Sequence, residues 1–107
     1  MEHPRFIYKI VDKDVWEVAR KAGSFDGVAI DLQDKFIHFS TKDQVRGTAK
    51  KYFSDVPNLV VATIDTHKIP AGLKWEKSRD EQLFPHLYSS LSFEAVVSET
   101  DLVSFLG

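Results

Sequence analysis

Cysteine is absent from the chain, which removes disulfides, thiolate metal sites and a cysteine nucleophile together. Neither common nucleotide loop occurs: there is no G-x-G-x-x-G and no phosphate loop ending in Gly-Lys-Ser/Thr. Neither sign of charge dominates, with 14 Lys and Arg against 16 Asp and Glu and a net charge of −2, so the basic footprint of a nucleic-acid binder is missing. No apolar run approaches a membrane-spanning length, and Met1-Glu2-His3-Pro4 lacks the charged and apolar regions of a signal peptide. A soluble, cytoplasmic protein without a membrane or DNA partner is therefore expected. Internal repeats, low-complexity segments and linkers are also lacking.

What remains suits one domain. The 107 residues are 43% hydrophobic and 12% aromatic, enough for a single packed core. Phe6 to Val11 is a continuous apolar run of the kind found in a central strand covered on both faces. Lys9 interrupts it, marking either an exposed edge or a polar cavity, with the edge expected. Asp12 or Asp14 then caps a helix with Val15, Trp16 and Ala19 on its apolar side, and Gly23 ends it. Val28-Ala29-Ile30 reads as a short strand, and the carboxylates Asp26, Asp31 and Asp34 read as solvated turn residues, with an acidic rim as the alternative. A second helix is predicted from about Lys42 to Phe53. Leu59 to Asp65 is the strongest strand and belongs at a sheet centre. Leu73 to Glu76, Ala95 to Ser98 and Val103 to Leu106 read as further strands. The order gives a small α+β domain with two short helices.

Two stretches carry candidate chemistry. In Lys35-Phe36-Ile37-His38-Phe39-Ser40-Thr41 the strand period sends Ile37 and Phe39 to one face and His38 and Ser40 to the other. Thr41 and Gln44 form a capping-box pattern, so a helix N-terminus follows at once. Phe84-Pro85-His86-Leu87-Tyr88 repeats the arrangement, with Pro85 pointing to an edge strand or a lining loop. Between them, Trp75, Glu76 and Arg79 offer a stacking surface, a carboxylate and an anion clamp. Packed structural histidines and a surface Glu76–Arg79 pair are the plain alternatives. A shared cleft would bring His38, Ser40, Glu76, Arg79, His86 and Tyr88 together. No ligand spacing supports a metal, and Ser40 lacks the glycines of a nucleophile elbow.

Ile7-Tyr8-Lys9-Ile10, Trp16 with Ala19, Phe36 to Thr41, Gln44, Thr48-Ala49, Trp75-Glu76 and Phe84 to Tyr88 resemble the domain of unknown function 952, a family of small, mostly bacterial proteins. The resemblance extends over nearly the whole chain. It implies a fold similar to the ADP-ribosyltransferase superfamily, which includes the RNA 2′-phosphotransferases: two facing, mostly antiparallel sheets with an NAD cleft between them. The chain departs from the family's pattern at three turns, with Lys35, Asp80-Glu81-Gln82 and Ser89 where glycine is usual. The transferases' first-strand arginine or histidine would fall near Tyr8-Lys9, and their third-motif glutamate has no clear equivalent beside His86.

The resemblance implies NAD or a related nucleotide as ligand and possible substrate, with transfer of ADP-ribose as the activity to look for. In such a site Ser40 and Thr41 would contact ribose, Tyr88 or Trp75 would stack on a flat ring, and Arg79 or Lys9 would meet phosphate. His38 and His86 would polarise hydroxyls or move protons, and Glu76 would face positive charge on the ribose. The alternative is a non-catalytic module that senses a metabolite or binds a partner protein.

Overall fold

The computed structural model describes residues 3–107. Strand β1 (Phe6–Asp12) leads into helix α1 (Lys13–Ala22), followed by the short strand β2 (Ser24–Phe25) and helix α2 (Ala29–Asp34). Then come β3 (Ile37–His38), α3 (Lys42–Tyr52), β4 (Leu59–Asp65), β5 (Leu73–Lys77), β6 (Leu83–Leu87) and β7 (Leu91–Ser92). Strand β8 (Val96–Asp101) and helix α4 (Leu102–Leu106) close the chain. All strand pairing is antiparallel. One sheet runs β1-β4-β8, a second β3-β6-β5, and β2-β7 form a ribbon.

Apolar alternation explains the layering. On one face of the first sheet, Ile7, Val11, Val60, Ala62 and Ile64 pack with Ile37, Phe39 and Leu87 of the β3-β6-β5 region and with Trp16 of α1. On the opposite face, Ile10, Leu59 and Val61 pack with Val45 and Ala49 of α3 and with Leu102, Phe105 and Leu106 of α4. Strand β4 lies between these layers and between two strands, which is why its β-branched run holds no charged residue before its end and only Thr63 as a polar one. Strand β1 flanks it, and the outer side of β1 meets the second sheet at one point. There Tyr8 N donates to Ser40 O at 2.8 Å and Ser40 N to Tyr8 O at 2.9 Å.

Local signals set most ends. Asp12 Oδ1 accepts from the amides of Asp14 (2.9 Å) and Val15 (3.0 Å), and Gly23 closes α1 at φ 89°. Thr41 N donates to Gln44 Oε1 at 3.0 Å, one half of the expected capping box.

Four readings change. Among the described residues four α-helices form instead of two. Val28 to Ile30 opens α2 rather than a strand, because Gly27 turns the chain at φ 112° and the carboxylate of Asp31 accepts from Val28 N at 2.8 Å. Val103 to Leu106 is helical, capped by Asp101, whose Oδ2 accepts from Val103 N. Its Leu102, Phe105 and Leu106 share the i, i+3, i+4 face that packs under the sheet.

The other two corrections concern Lys9 and Pro85. Lys9 does lie on an edge strand of its sheet, but it is buried there, at 6% exposure, not exposed; it shares the inward face of β1 with Ile7 and Val11. Pro85 lies in the central strand of its sheet. It is tolerated because β3 pairing stops at His38. Phe39 N donates to Pro85 O at 3.0 Å, but Pro85 has no N–H to return. The chain leaves the ladder there and crosses to Tyr8.

Candidate functional site

Register builds the site. His38 on β3 is directly opposite His86 on β6, which is opposite Lys74 on β5. Opposed residues share a face, as do residues two apart. Ile37, Pro85, Leu87 and Trp75 therefore take the inner face, while Phe36, His38, His86, Tyr88 and Glu76 share the other. The two imidazoles lie edge to face with centroids 5.6 Å apart. Phe36 sits among them, 4.1 Å from the His86 ring, 4.5 Å from His38 and 5.2 Å from Tyr88.

Each imidazole has its own carboxylate. His38 Nδ1 meets Asp31 Oδ1 at 2.7 Å and Nε2 meets Asp34 Oδ2 at 2.9 Å. Asp31 is buried at 1% exposure. It also accepts from His38 N at 3.1 Å and from Lys9 Nζ, 3.2 and 3.1 Å from its two oxygens. Lys9 Nζ donates further to His38 O at 2.9 Å. Burial alone pushes the Asp31 pKa up, but the His38 bond, the Lys9 charge and the two backbone amides outweigh it and hold the group at about 2. Burial likewise lowers Lys9, opposed by Asp31.

His86 is the more enclosed ring, at 5% exposure. Its Nδ1 lies 2.8 Å from Glu76 Oε1, which also accepts from the Tyr88 hydroxyl at 2.7 Å. Those two bonds lower the Glu76 pKa and the same contact raises that of Tyr88. Burial lowers His86; the Glu76 bond opposes this and the charge of His38 adds to it, leaving the ring below its ordinary value. An ionised carboxylate only accepts. Nδ1 must then carry the proton, and Nε2, which has no hydrogen-bond partner among the described residues, keeps its lone pair.

Not every candidate comes to this place. His38, His86, Glu76, Tyr88 and Lys9 do, but Lys9 is held by Asp31 and is not presented to an outside anion. Ser40 is buried, with its hydroxyl 3.1 Å from that of Thr48 on α3. Thr41 caps α3. Trp75 faces the core and stacks on His3 with centroids 4.2 Å apart. The backbone of Arg79 lies in a short 3-10 turn, and its side chain lies outside the described residues. An open cavity of about 190 Å³ adjoins the cluster, lined by Asp26, Asp31, Lys35, Phe36, Tyr88, Ser89 and Ser90 among others. Among the described residues no cluster of His, Asp and Glu has metal-binding geometry, and no helix is long and apolar enough to cross a membrane.

Asp31 and Asp34 are the site residues that sequence reasoning passed over as solvated turns. The available signal was helical spacing: Asp34 and His38 are four apart at a helix end, and Asp31 is the third residue of α2.

No protein with a curated description matches the chain. Solved structures do. The crystal structure of protein CC0527 from Caulobacter crescentus superposes with a TM-score of 0.86 at 42% identity, covering 90% of this chain and 84% of that one. A double-methionine variant of the same protein gives 0.85 at 42% identity, with the same coverage. Its solution structure gives 0.80 at 41% identity, covering 92% and 84%. The family model described as protein of unknown function (DUF952) matches residues 10–99. The chain belongs to that family.

Proposed function

We propose that the chain is an ADP-ribosyltransferase-like domain that binds NAD or a related ribose-bearing nucleotide on its imidazole face, with His86 as the proton-transfer group. The observation that carries this reading is the Tyr88–Glu76–His86 chain set beside His38. It gives two histidines two different tasks. His86, with Nδ1–H committed to Glu76, offers the Nε2 lone pair as a base toward a substrate hydroxyl. His38 has an acceptor-only carboxylate at each nitrogen. With both ring nitrogens engaged, His38 has no free lone pair to offer and serves to fix the face beside His86, not as a base.

In transfer of ADP-ribose, the glycosidic bond to the leaving base breaks as an acceptor atom bonds to the ribose carbon. His86 would take the acceptor's proton, and Glu76, through Oε2, would face the positive charge on the sugar. Exposed Tyr88 and half-buried Phe36 supply a surface for a flat ring. The adjoining cavity of about 190 Å³ is smaller than the roughly 300–1,000 Å³ typical of small-molecule pockets. It takes one ring of a dinucleotide, leaving the rest on the open surface. Ser40, Thr41, Lys9 and Trp75 have no part in this version of the site.

A thermal-shift screen with NAD, ADP-ribose, nicotinamide and phosphorylated RNA ends tests the proposal. A ligand at a hundred times its dissociation constant stabilises by about 2.7 kcal/mol, and His86→Ala should abolish the shift. Absence of any shift across the four ligands would contradict it. The full engagement of both His38 nitrogens favours a second reading, a sensing module that binds without turnover. Release of nicotinamide from NAD, followed by chromatography, separates the two.

A further inference from the structure

The cavity beside the imidazole face has a chemistry of its own. It lies where the β2–α2 connection meets the β6–β7 turn. The Phe25–Leu91 pairing of the ribbon sets Asp26 next to Ser90, whose hydroxyl donates to Asp26 Oδ1. Gly27 at φ 112° then turns the chain into α2. Position is thus fixed by backbone pairing, not by a loose loop.

The lining is aromatic on one side and polar on the other. Phe36 and Tyr88 continue into the cavity from the imidazole cluster, while Asp26, Ser89, Ser90 and Lys35 rim it. Asp31 also lines it, but its charge is met internally by Lys9 and His38. Asp26 has no such cation among the described residues. An ionised carboxylate accepts through about four lone-pair positions, and Ser90 occupies one. The open lone pairs of Asp26 reward a neutral donor-rich group. Adjacent hydroxyls on a sugar ring offer two donors from one edge and an apolar C–H face for an aromatic ring, and a carboxylate on a ribose hydroxyl is a recurrent device in nucleotide sites. The volume, about 190 Å³, admits one such ring.

We propose that this cavity is the subsite for a ring bearing adjacent hydroxyls, with Asp26 accepting from both and selecting ribose over its deoxy forms. The inference rests on the nucleotide reading only in taking the ring to be the ribose of that ligand. Asp26 is a specificity-determining residue in this account, and Phe36 and Tyr88 link its subsite to His86.

The test uses the uniformly nitrogen-15-labelled protein titrated with adenosine, with 2′,3′-dideoxyadenosine and with NAD, following backbone amides and imidazole resonances. Adenosine should shift the amides of Asp26, Tyr88, Ser89 and Ser90 in a saturable way. Dideoxyadenosine should bind at least about tenfold more weakly, and Asp26→Ala should weaken adenosine to a similar degree. Asp26 is exposed, so the variant keeps its fold, and the two nucleosides test the idea without any variant. Equal binding of the two nucleosides, indifference to Asp26→Ala, or no shift at these amides overturns the subsite. If NAD shifts His86 while these amides stay still, the nucleotide reading stands and the subsite falls. If adenosine shows the discrimination but NAD leaves His86 untouched, the subsite stands and the reading of the imidazole face falls.

Discussion

Asp31→Asn is the most informative single change to the fold beneath the site. The side chain keeps its size but loses the charge that answers Lys9 Nζ, 3.2 and 3.1 Å from its oxygens. Lys9 is 6% exposed and Asp31 1%, so water cannot replace the lost partner. Breaking one side of a buried ion pair costs about 3–5 kcal/mol. At about 4–8 °C per kcal/mol for a domain of this size, melting should fall by at least about 12 °C. Urea unfolding at neutral pH reads the free energy directly. Adding Lys9→Met removes the stranded ammonium, so the double variant should be more stable than Asp31→Asn alone by about 1–3 kcal/mol. The acid limb gives an independent check. Asp31 is lowered from 3.8 to about 2 in the fold, so its contribution is complete above pH ~4 and is lost as the pH falls toward ~2. The shift corresponds to about 2 kcal/mol. A loss under about 1 kcal/mol for Asp31→Asn, with no recovery in the double variant, would refute the buried network.

Three further outcomes follow from particular residues. Lys35 ends α2 at φ 68°, so Lys35→Gly should stabilise by about 0.5–1 kcal/mol, read as a raised melting temperature; a lowered one would refute the strain argument. A Cβ on Gly27 would lie 2.6 Å from Asp31 Cβ, at a backbone φ of 112°, so Gly27→Ala should destabilise by about 1–3 kcal/mol and broaden the His38 resonances. His86 is held below its ordinary pKa in the fold, so the unfolded chain binds its proton first. Its share of stability is present at neutral pH and is lost as the pH falls through the unfolded value and below; His86→Gln should flatten the stability profile in that window.

Alternation made half of the site legible. Ile37, Phe39 and Leu87 are buried and His38 and His86 share the opposite face, as a period of two requires. The same rule, applied to Leu73 to Lys77 as a strand, separates Trp75 from Glu76, since neighbours along a strand point to opposite faces. Ser40 escaped the rule for a reason outside its own segment: the missing N–H of Pro85 ends the ladder before it. Lys9 and Asp31 were hidden by one ambiguity. Val28-Ala29-Ile30 is too short an apolar run for periodicity to tell a strand from a helix start. Only as helix α2, whose Ile30 and Leu32 are 50% and 63% exposed, does it place Asp31 inside and Lys9 opposite. Lys35 and Asp80-Glu81, turn positions where the resemblance leads one to expect glycine, all hold left-handed φ angles of 57° to 68°.

The central claim is that His86 is a neutral imidazole with its Nε2 lone pair open to a nucleotide, beside a His38 ring held between Asp31 and Asp34. Long-range proton–nitrogen correlation of the imidazoles at neutral pH, with and without NAD, measures this directly. The account predicts the Nδ1–H tautomer for His86 and a shift of His86 Nε2, with His38 unchanged, when NAD is added. A His86 protonated on Nε2 instead of Nδ1, or one that does not respond to NAD, would contradict it.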